Sequence, residues 1–207
     1  MAHQSDEESK NLQKPLLVLV GGANGSGKTT LARQIAELNN LPFVNADETA
    51  RNINPHNVHE ARFQAGREVL QEVERLREQK TSFVYESTLA GLSLRKILER
   101  FKSDGYEISL VYVYLDSAEI CIERIKSRVA MGGHFVPDDE VRRRYDRSKQ
   151  NFLNVYKPLA DRWHLYRNPI EGIELIANGH KDGYTSGTNF WENEKAKIFF
   201  GILEEDK

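Results

Sequence analysis

The chain has very little cysteine. Cys121 is its single thiol in 207 residues, which excludes an internal disulfide framework and suits a reducing, cytoplasmic compartment. It lies in Ile120-Cys-Ile122 on a predicted helix and reads as a small buried hydrophobe. Long apolar runs are also missing. No stretch approaches the roughly 20 residues that span a bilayer, so no membrane partner is expected. The N-terminal segment, Met1-Ala-His-Gln-Ser-Asp-Glu-Glu-Ser-Lys10, has no apolar signal core, and residues 1–14 are expected as a disordered tail. Neither sign of charge dominates. With 29 basic and 31 acidic residues the net charge is −2, which argues against a protein that coats nucleic acid. Repeats and low-complexity linkers are absent too, so 15–207 reads as one domain, with 170–207 as a peripheral extension.

What is present is alternation. Strand patterns fall at 16–20, 42–45, 82–86, 108–115, 163–167 and 173–177, and helical patterns at 28–38, 58–79, 92–103, 117–130, 138–156 and 190–203. Ser117 is placed as a helix N-cap, and Asp138-Asp-Glu140 after Pro137 supplies acids to a first helical turn. Strand–helix alternation predicts an α/β fold, a mainly parallel sheet with helices on both faces. In such sheets ligands gather outside the carboxyl ends of the strands.

After the first strand comes Gly22-Ala-Asn-Gly-Ser-Gly-Lys-Thr-Thr30. It fits G-x-x-x-x-G-K-[ST] between an apolar strand and a helix, the arrangement that aims backbone N–H groups at phosphate. Gly22, Gly25 and Gly27 allow tight turns and close approach. Ala23, Asn24, Ser26 and Thr30 complete the nucleotide-binding loop. Lys28 places a point charge on the β- and γ-phosphates. Thr29 offers its hydroxyl to Mg²⁺, an ion that takes few protein ligands. ATP and Mg²⁺ are therefore the expected co-substrate and cofactor.

The next two strand ends carry acids. Asp47 suits either the base that takes a substrate hydroxyl's proton during phosphoryl transfer or the cap of the helix or turn that follows. Glu86 suits either a Mg²⁺-bound water or a substrate hydroxyl, against the plain alternative of a surface acid at a strand end. His56 and His59 lack a third ligand at metal spacing and read as exposed histidines. Trp163 and Trp191 read as packing residues.

A basic stretch runs through Arg124, Lys126, Arg128, Arg142, Arg143, Arg144, Arg147 and Lys149, interrupted by Met131-Gly-Gly-His-Phe-Val-Pro137. Two glycines and a proline between helices describe a hinged lid that brings arginines to the γ-phosphate. Adjacent helical residues point about 100° apart, so at most two of Arg142, Arg143 and Arg144 can serve one phosphate. The alternative is a solvated basic face. A nucleic-acid patch would call for interleaved aromatics, and only Tyr145 is there.

Four segments together resemble zeta toxins and their shorter chromosomal relatives. They are the phosphate loop; Asn45-Ala-Asp-Glu-Thr-Ala-Arg51 with Asn54-Pro-His56; Phe83-Val-Tyr-Glu-Ser-Thr-Leu89; and Gly105-Tyr-Glu-Ile108 with the Gly132-Gly-His-Phe-Val-Pro137 lid and its Arg-Arg-Tyr helix. The likeness spans roughly 16–169. It implies a P-loop kinase fold with a helical lid, and transfer of phosphate from ATP to the 3′-hydroxyl of UDP-N-acetylglucosamine, a nucleotide sugar. Asp47 would be the base and Lys28 the phosphate clamp. Glu86 and Thr88 would contact substrate, with Thr29 on Mg²⁺ and Glu86 reaching the metal through water. The resemblance also implies an antitoxin protein as a partner. Where zeta toxins carry an arginine before the lid proline, this chain has His134. The arginine role then passes to Arg128 with one of Arg142, Arg143 or Arg144, Arg143 being assigned to ATP, or is shared by His134. Rival readings are a kinase of a sugar acid or an antibiotic, and a non-catalytic ATP-binding switch that meets nucleic acid through the 142–147 face.

Overall fold

Why these residues make a sheet is visible in which side chains face which way. In β1 (Leu16–Gly21), Leu17 and Leu19 point to one face and Val18 and Val20 to the other, and all four are buried. β3 (Phe83–Ser87) and β4 (Glu107–Tyr114) repeat the pattern, with Phe83, Tyr85, Ile108, Leu110 and Tyr112 on the first face and Val84, Val111 and Val113 on the second. A strand covered on both sides must be apolar throughout, which is the mark of a parallel sheet between helical layers. The second face is closed by α1 (Lys28–Leu38) through Ala32 and Ala36. The first is closed by α3 (Val58–Glu78) and α4 (Ser93–Ser103) through Val69, Val73, Leu76, Leu94 and Leu98.

The structure, a computed structural model, describes residues 14–55, 57–181, 183–184 and 193–202. The expected N-terminal tail falls almost wholly outside them, as do His56 and Trp191; Trp163 is buried in the core. Seven strands lie in the order β2-β3-β1-β4-β5-β6-β7, with β2 at Phe43–Asn45, β5 at Arg162–Arg167, β6 at Glu174–His180 and β7 at Gly183–Tyr184. The first five are parallel, and β6 and β7 join antiparallel. The sheet is thus mainly parallel, as expected. The antiparallel edge arises because β5 and β6 are joined by a short turn through Gly172 rather than by a crossover helix.

Three elements depart from expectation. A helix, α2 (Ala46–Ile53), begins directly at the end of β2 with no intervening loop. The long helix expected over 138–156 is α6 (Asp138–Asn151) followed by a π-helical turn, Phe152–Tyr156, and a 3₁₀ turn, Lys157–Leu159. The last helix, expected over 190–203, is α7 (Glu194–Phe199) within the described residues. α5 (Ala118–Ala130) starts with Ser117 as its N-cap, the Ser117 Oγ accepting from Ile120 N–H at 3.3 Å. Among the described residues no helix is long and apolar enough to cross a membrane.

Candidate active site

The loop between β1 and α1 is held tightly from behind. Gly22 and Gly25 have φ of 147° and 83°. A Cβ on Gly22 would lie 2.2 Å from the Val113 carbonyl oxygen, and one on Gly25 would lie 2.5 Å from that of Cys121. Positive φ and backbone at van der Waals range leave room for glycine alone. Asn168, just after β5, donates from Nδ2 to the Ser26 carbonyl at 2.8 Å. Ser26 Oγ is buried with no hydrogen-bond partner. A buried hydroxyl without a partner is costly.

The centre of the site is Glu86. Strand register sets it beside both Val20 of β1 and Asn45 of β2, at the carboxyl rim of the sheet. Its Oε1 accepts from Thr29 Oγ1 at 3.0 Å and lies 3.3 Å from Lys28 Nζ. Its Oε2 accepts from Asn45 Nδ2. Lys28 also reaches the Ala23 carbonyl at 3.5 Å. Glu86 is 6% exposed, so the surface-acid alternative is wrong: it is a buried carboxylate shared by the loop's lysine and threonine. Thr29 and Glu86 together fit the sparse oxygen set that Mg²⁺ accepts. Among the described residues no three histidines, cysteines or acids gather as a separate metal cluster.

Asn45, rather than Asp47, caps α2. Its Oδ1 accepts from Glu48 N–H at 2.9 Å. The capping alternative for Asp47 therefore falls. Asp47 sits exposed in the first turn, where the helix N-terminus favours a carboxylate, and it makes no hydrogen bond or ion pair among the described residues. It lines a cleft of about 370 Å³ together with Lys28, Glu86 and Thr88. The far wall is α6, which contributes Arg143, Arg144 and, one turn on, Arg147.

Of the three consecutive arginines, Arg142 turns away and pairs with Glu119 of α5 at 3.0 Å. Arg144 donates to Asn24 Oδ1 of the phosphate loop at 3.1 Å and also pairs with Glu140, tying lid helix to loop. Arg143 lies 3.7 Å from Glu140. Arg128 does not line the cleft; its Nη2 donates to the His134 carbonyl at 2.9 Å and braces the lid turn. His134 reaches α3, where Arg62 Nη2 donates to its Nε2 at 2.8 Å. Arginine has no acceptor, so this His134 nitrogen carries a lone pair and the ring is neutral. Burial, and then the Arg62 charge, hold its pKa below the ordinary imidazole value, with Asp47 pulling the other way.

The loop after β3 is shaped by α6 and the turn beyond it. Ser148 Oγ donates to the Thr88 carbonyl at 2.6 Å, Asn151 Nδ2 to that of Leu89 at 2.8 Å, and the Tyr156 hydroxyl to that of Gly91. Leu89 sits at φ 57°, a conformation unusual for leucine, with its side chain fully buried over Gly21.

Sequence reasoning missed Asn45 as a cap, Arg62, Asn168 and the Ser148–Asn151–Tyr156 row, and named Arg147 only as part of the basic stretch. Asn45 had a signal, because Asn followed by Glu three residues later is the capping-box spacing. The others depend on which side chains the fold brings together. Cys121 is buried and its thiol is pushed up to about 12 by that burial, in keeping with a packing role.

With this geometry in place, comparison with known proteins gives a consistent result. A sequence model of the zeta toxin family matches residues 2–169. An uncharacterized protein of Haemophilus influenzae is 36% identical over 124 residues, covering 60% of this chain and 88% of that protein. The fold resembles a structure from the PezAT chromosomal toxin–antitoxin system of Streptococcus pneumoniae, with TM-score 0.60 at 17% identity over 95% of this chain and 87% of that one. It also resembles a chain of the AvrRxo1-ORF1:AvrRxo1-ORF2 complex with sulphate ions, with TM-score 0.66 at 17% identity over 93% of this chain and 66% of that one.

Proposed function

The chain belongs to the zeta toxin family, and on that premise we propose that it moves the γ-phosphoryl group of ATP to a hydroxyl of a nucleotide sugar, UDP-N-acetylglucosamine. That it is an ATP-dependent phosphotransferase follows from the family. The acceptor and the residue roles are our reading. One observation carries it: the Asp47 carboxylate, with no hydrogen bond or ion pair among the described residues, lines the same cleft as the buried Lys28–Glu86 pair to which Thr29 is hydrogen-bonded.

In this reading the phosphate loop from Gly22 to Thr30 cradles the β- and γ-phosphates. Lys28 leaves Glu86 for them, exchanging one anionic partner for another. Thr29, and Glu86 through a water, would hold Mg²⁺, which would supply positive charge to offset that of the phosphates. Asp47 takes the proton of the acceptor hydroxyl as its oxygen bonds to the γ-phosphorus. The bond from that phosphorus to the bridging oxygen breaks, and ADP leaves with the electron pair. Little covalent help is needed; placement and charge carry the rate. Thr88 and Glu86 orient the acceptor. Arg143 and Arg144 supply cations from the lid helix, and Arg128 with His134 shapes the lid. The kinase unit is one domain over 15–207, with 170–207 at its periphery, working in the cytoplasm. An antitoxin is proposed as the protein partner, the PezAT structure being described as that of a toxin–antitoxin system.

The test is a label-transfer screen from ATP against nucleotide sugars, sugar acids and aminoglycosides, with mass analysis of the product, in wild type and Asp47→Asn. Transfer to UDP-N-acetylglucosamine that the variant loses by about 10²–10⁴-fold while still binding ATP supports the reading. Normal turnover by the variant refutes the base. Transfer only to another class refutes the acceptor. No transfer at all favours the ATP-binding switch.

A further inference from the structure

The charges around the cleft do not cancel evenly. Lys28 is matched by Glu86, Arg144 by Glu140 and Asn24, and Arg143 leans on the same Glu140. Arg147 is different. It lines the cleft, is exposed to it, and makes no hydrogen bond or ion pair among the described residues. On α2 stands Asp47, likewise with no hydrogen bond or ion pair among the described residues. Among the described residues the cleft thus holds a carboxylate and a guanidinium with no ion-pair partner, one on α2 and one on α6.

The helix says which half of the cleft Arg147 commands. On α6, Arg147 projects between the directions of Arg143 and Arg144, about 40° round from Arg143 and one turn further along. Arg144 touches the phosphate loop at Asn24, whereas Ser148 and Asn151 touch the Thr88 and Leu89 carbonyls. Arg147 lies between these levels, one residue before Ser148. It lines the cleft with Thr88, Ala90 and Gly91 of the loop that follows β3 and, unlike Arg144, makes no hydrogen bond to the phosphate loop. A planar fork of N–H donors that binds no other described residue and faces a polar cleft suits a carboxylate or phosphate brought by a ligand.

We propose that Arg147 is the specificity-determining residue of the acceptor half: it binds an oxyanion group, phosphate or carboxylate, carried by the acceptor beside the hydroxyl that Asp47 deprotonates. This deepens the kinase reading and rests on it. The acceptor class is thereby an anionic hydroxyl compound. Neutral sugars and cationic aminoglycosides are selected against, the latter because an ammonium group would meet an uncompensated guanidinium.

The experiment measures steady-state transfer from ATP to four acceptors: UDP-N-acetylglucosamine (phosphate), gluconate (carboxylate), N-acetylglucosamine (neutral) and kanamycin (cationic). Wild type, Arg147→Gln and Arg147→Lys are compared. The expected result is that Arg147→Gln raises the KM of the preferred anionic acceptor about 10- to 100-fold, the worth of a charge-assisted hydrogen bond. The KM of ATP moves by less than about threefold, and Arg147→Lys falls in between because it keeps the charge but loses the fork. Whether the sensitivity appears with the UDP-sugar or with gluconate identifies the bound group. Wild type preferring N-acetylglucosamine or kanamycin overturns the proposal. So does transfer to an anionic acceptor with an unchanged KM in Arg147→Gln, and in that case the kinase reading still stands. If no acceptor is labelled, titration of UDP-N-acetylglucosamine and of gluconate into protein saturated with a non-hydrolysable ATP analogue decides. Binding of either that Arg147→Gln weakens supports the subsite without transfer; binding indifferent to the substitution, or none, overturns it.

Discussion

Lys28 Nζ lies 3.3 Å from Glu86 Oε1, and both side chains are almost wholly shielded from solvent, at 7% and 4% exposure. Two charges so placed stabilise each other only as a pair, and removing one strands the other in a poor solvent. The residues are 58 positions apart in sequence, and parallel pairing of β1 with β3 brings them together. Glu86 is therefore part of the fold's integrity as well as of the site.

Glu86→Gln should cost the nucleotide-free protein about 3 kcal/mol, or roughly 6–12 °C in Tm for a chain of this size. Calorimetry without nucleotide measures it. Turnover should fall as well, since Thr29 loses its charged acceptor. A variant with unchanged Tm would show that the pair contributes nothing to stability.

Asn45→Ala removes the cap of α2 and one partner of Glu86 together. The capping loss alone is worth about 1 kcal/mol. Because α2 carries Asp47 in its first turn, transfer should fall further than stability, on the order of 10²-fold, as expected for a base displaced by about 1 Å. Thermal melts and kcat on the same preparation separate the two effects.

The bond from Arg62 to His134 needs a neutral ring, so it is sensitive to acid. Arg62 of α3, Asp47 and Arg51 of α2 and Arg128 of α5 surround that ring. Its folded pKa lies below the ordinary 6.5. The tie is thus complete above 6.5 and lost as pH falls through the lower folded value. Hydrogen exchange across 131–137, relative to its intrinsic rate, should accelerate as pH falls below 6.5, and His134→Gln, which keeps an acceptor but does not titrate, should flatten that profile.

Gly25→Ala should abolish tight ATP binding while leaving the protein folded. The added methyl meets the Cys121 carbonyl at a φ of 83°, a strain of roughly 1–3 kcal/mol that the loop relieves by moving. Titration with ATP checks it.

The donor half of this site was legible because its chemistry is contiguous. Nine residues from Gly22 to Thr30 hold the loop, and local geometry makes them a cradle. Asp47 and Glu86 could be placed on the rim from strand ends alone. Their environments could not: Glu86 is buried because β3 is an interior strand flanked by β1 and β2, and neighbour order is not written in any one segment. α2 was weighed only as a helix or turn after Asp47 because Asn45 serves both as the last residue of β2 and as the helix cap, leaving no loop to mark a boundary. The arginine face of α6 was only half readable. Helical geometry limited how many of Arg142, Arg143 and Arg144 could serve, but Glu119 and Asn24, far away in sequence, decide which one turns aside and which one stays. The antiparallel β6 was hidden for a similar reason, since its run of apolar residues does not state its direction.

The π-helical turn at Phe152–Tyr156 makes residue count a functional variable. Upstream of it, Ser148 and Asn151 grip the Thr88 and Leu89 carbonyls; beyond them, Tyr156 grips that of Gly91. All three must face the same loop, and the wider turn sets the angular phase between them. Losing one residue there would rotate everything downstream by about 100°, swinging Tyr156 off its carbonyl while Arg144 stayed on Asn24. A single-codon deletion would in this way uncouple acceptor from donor without touching a residue that either substrate meets.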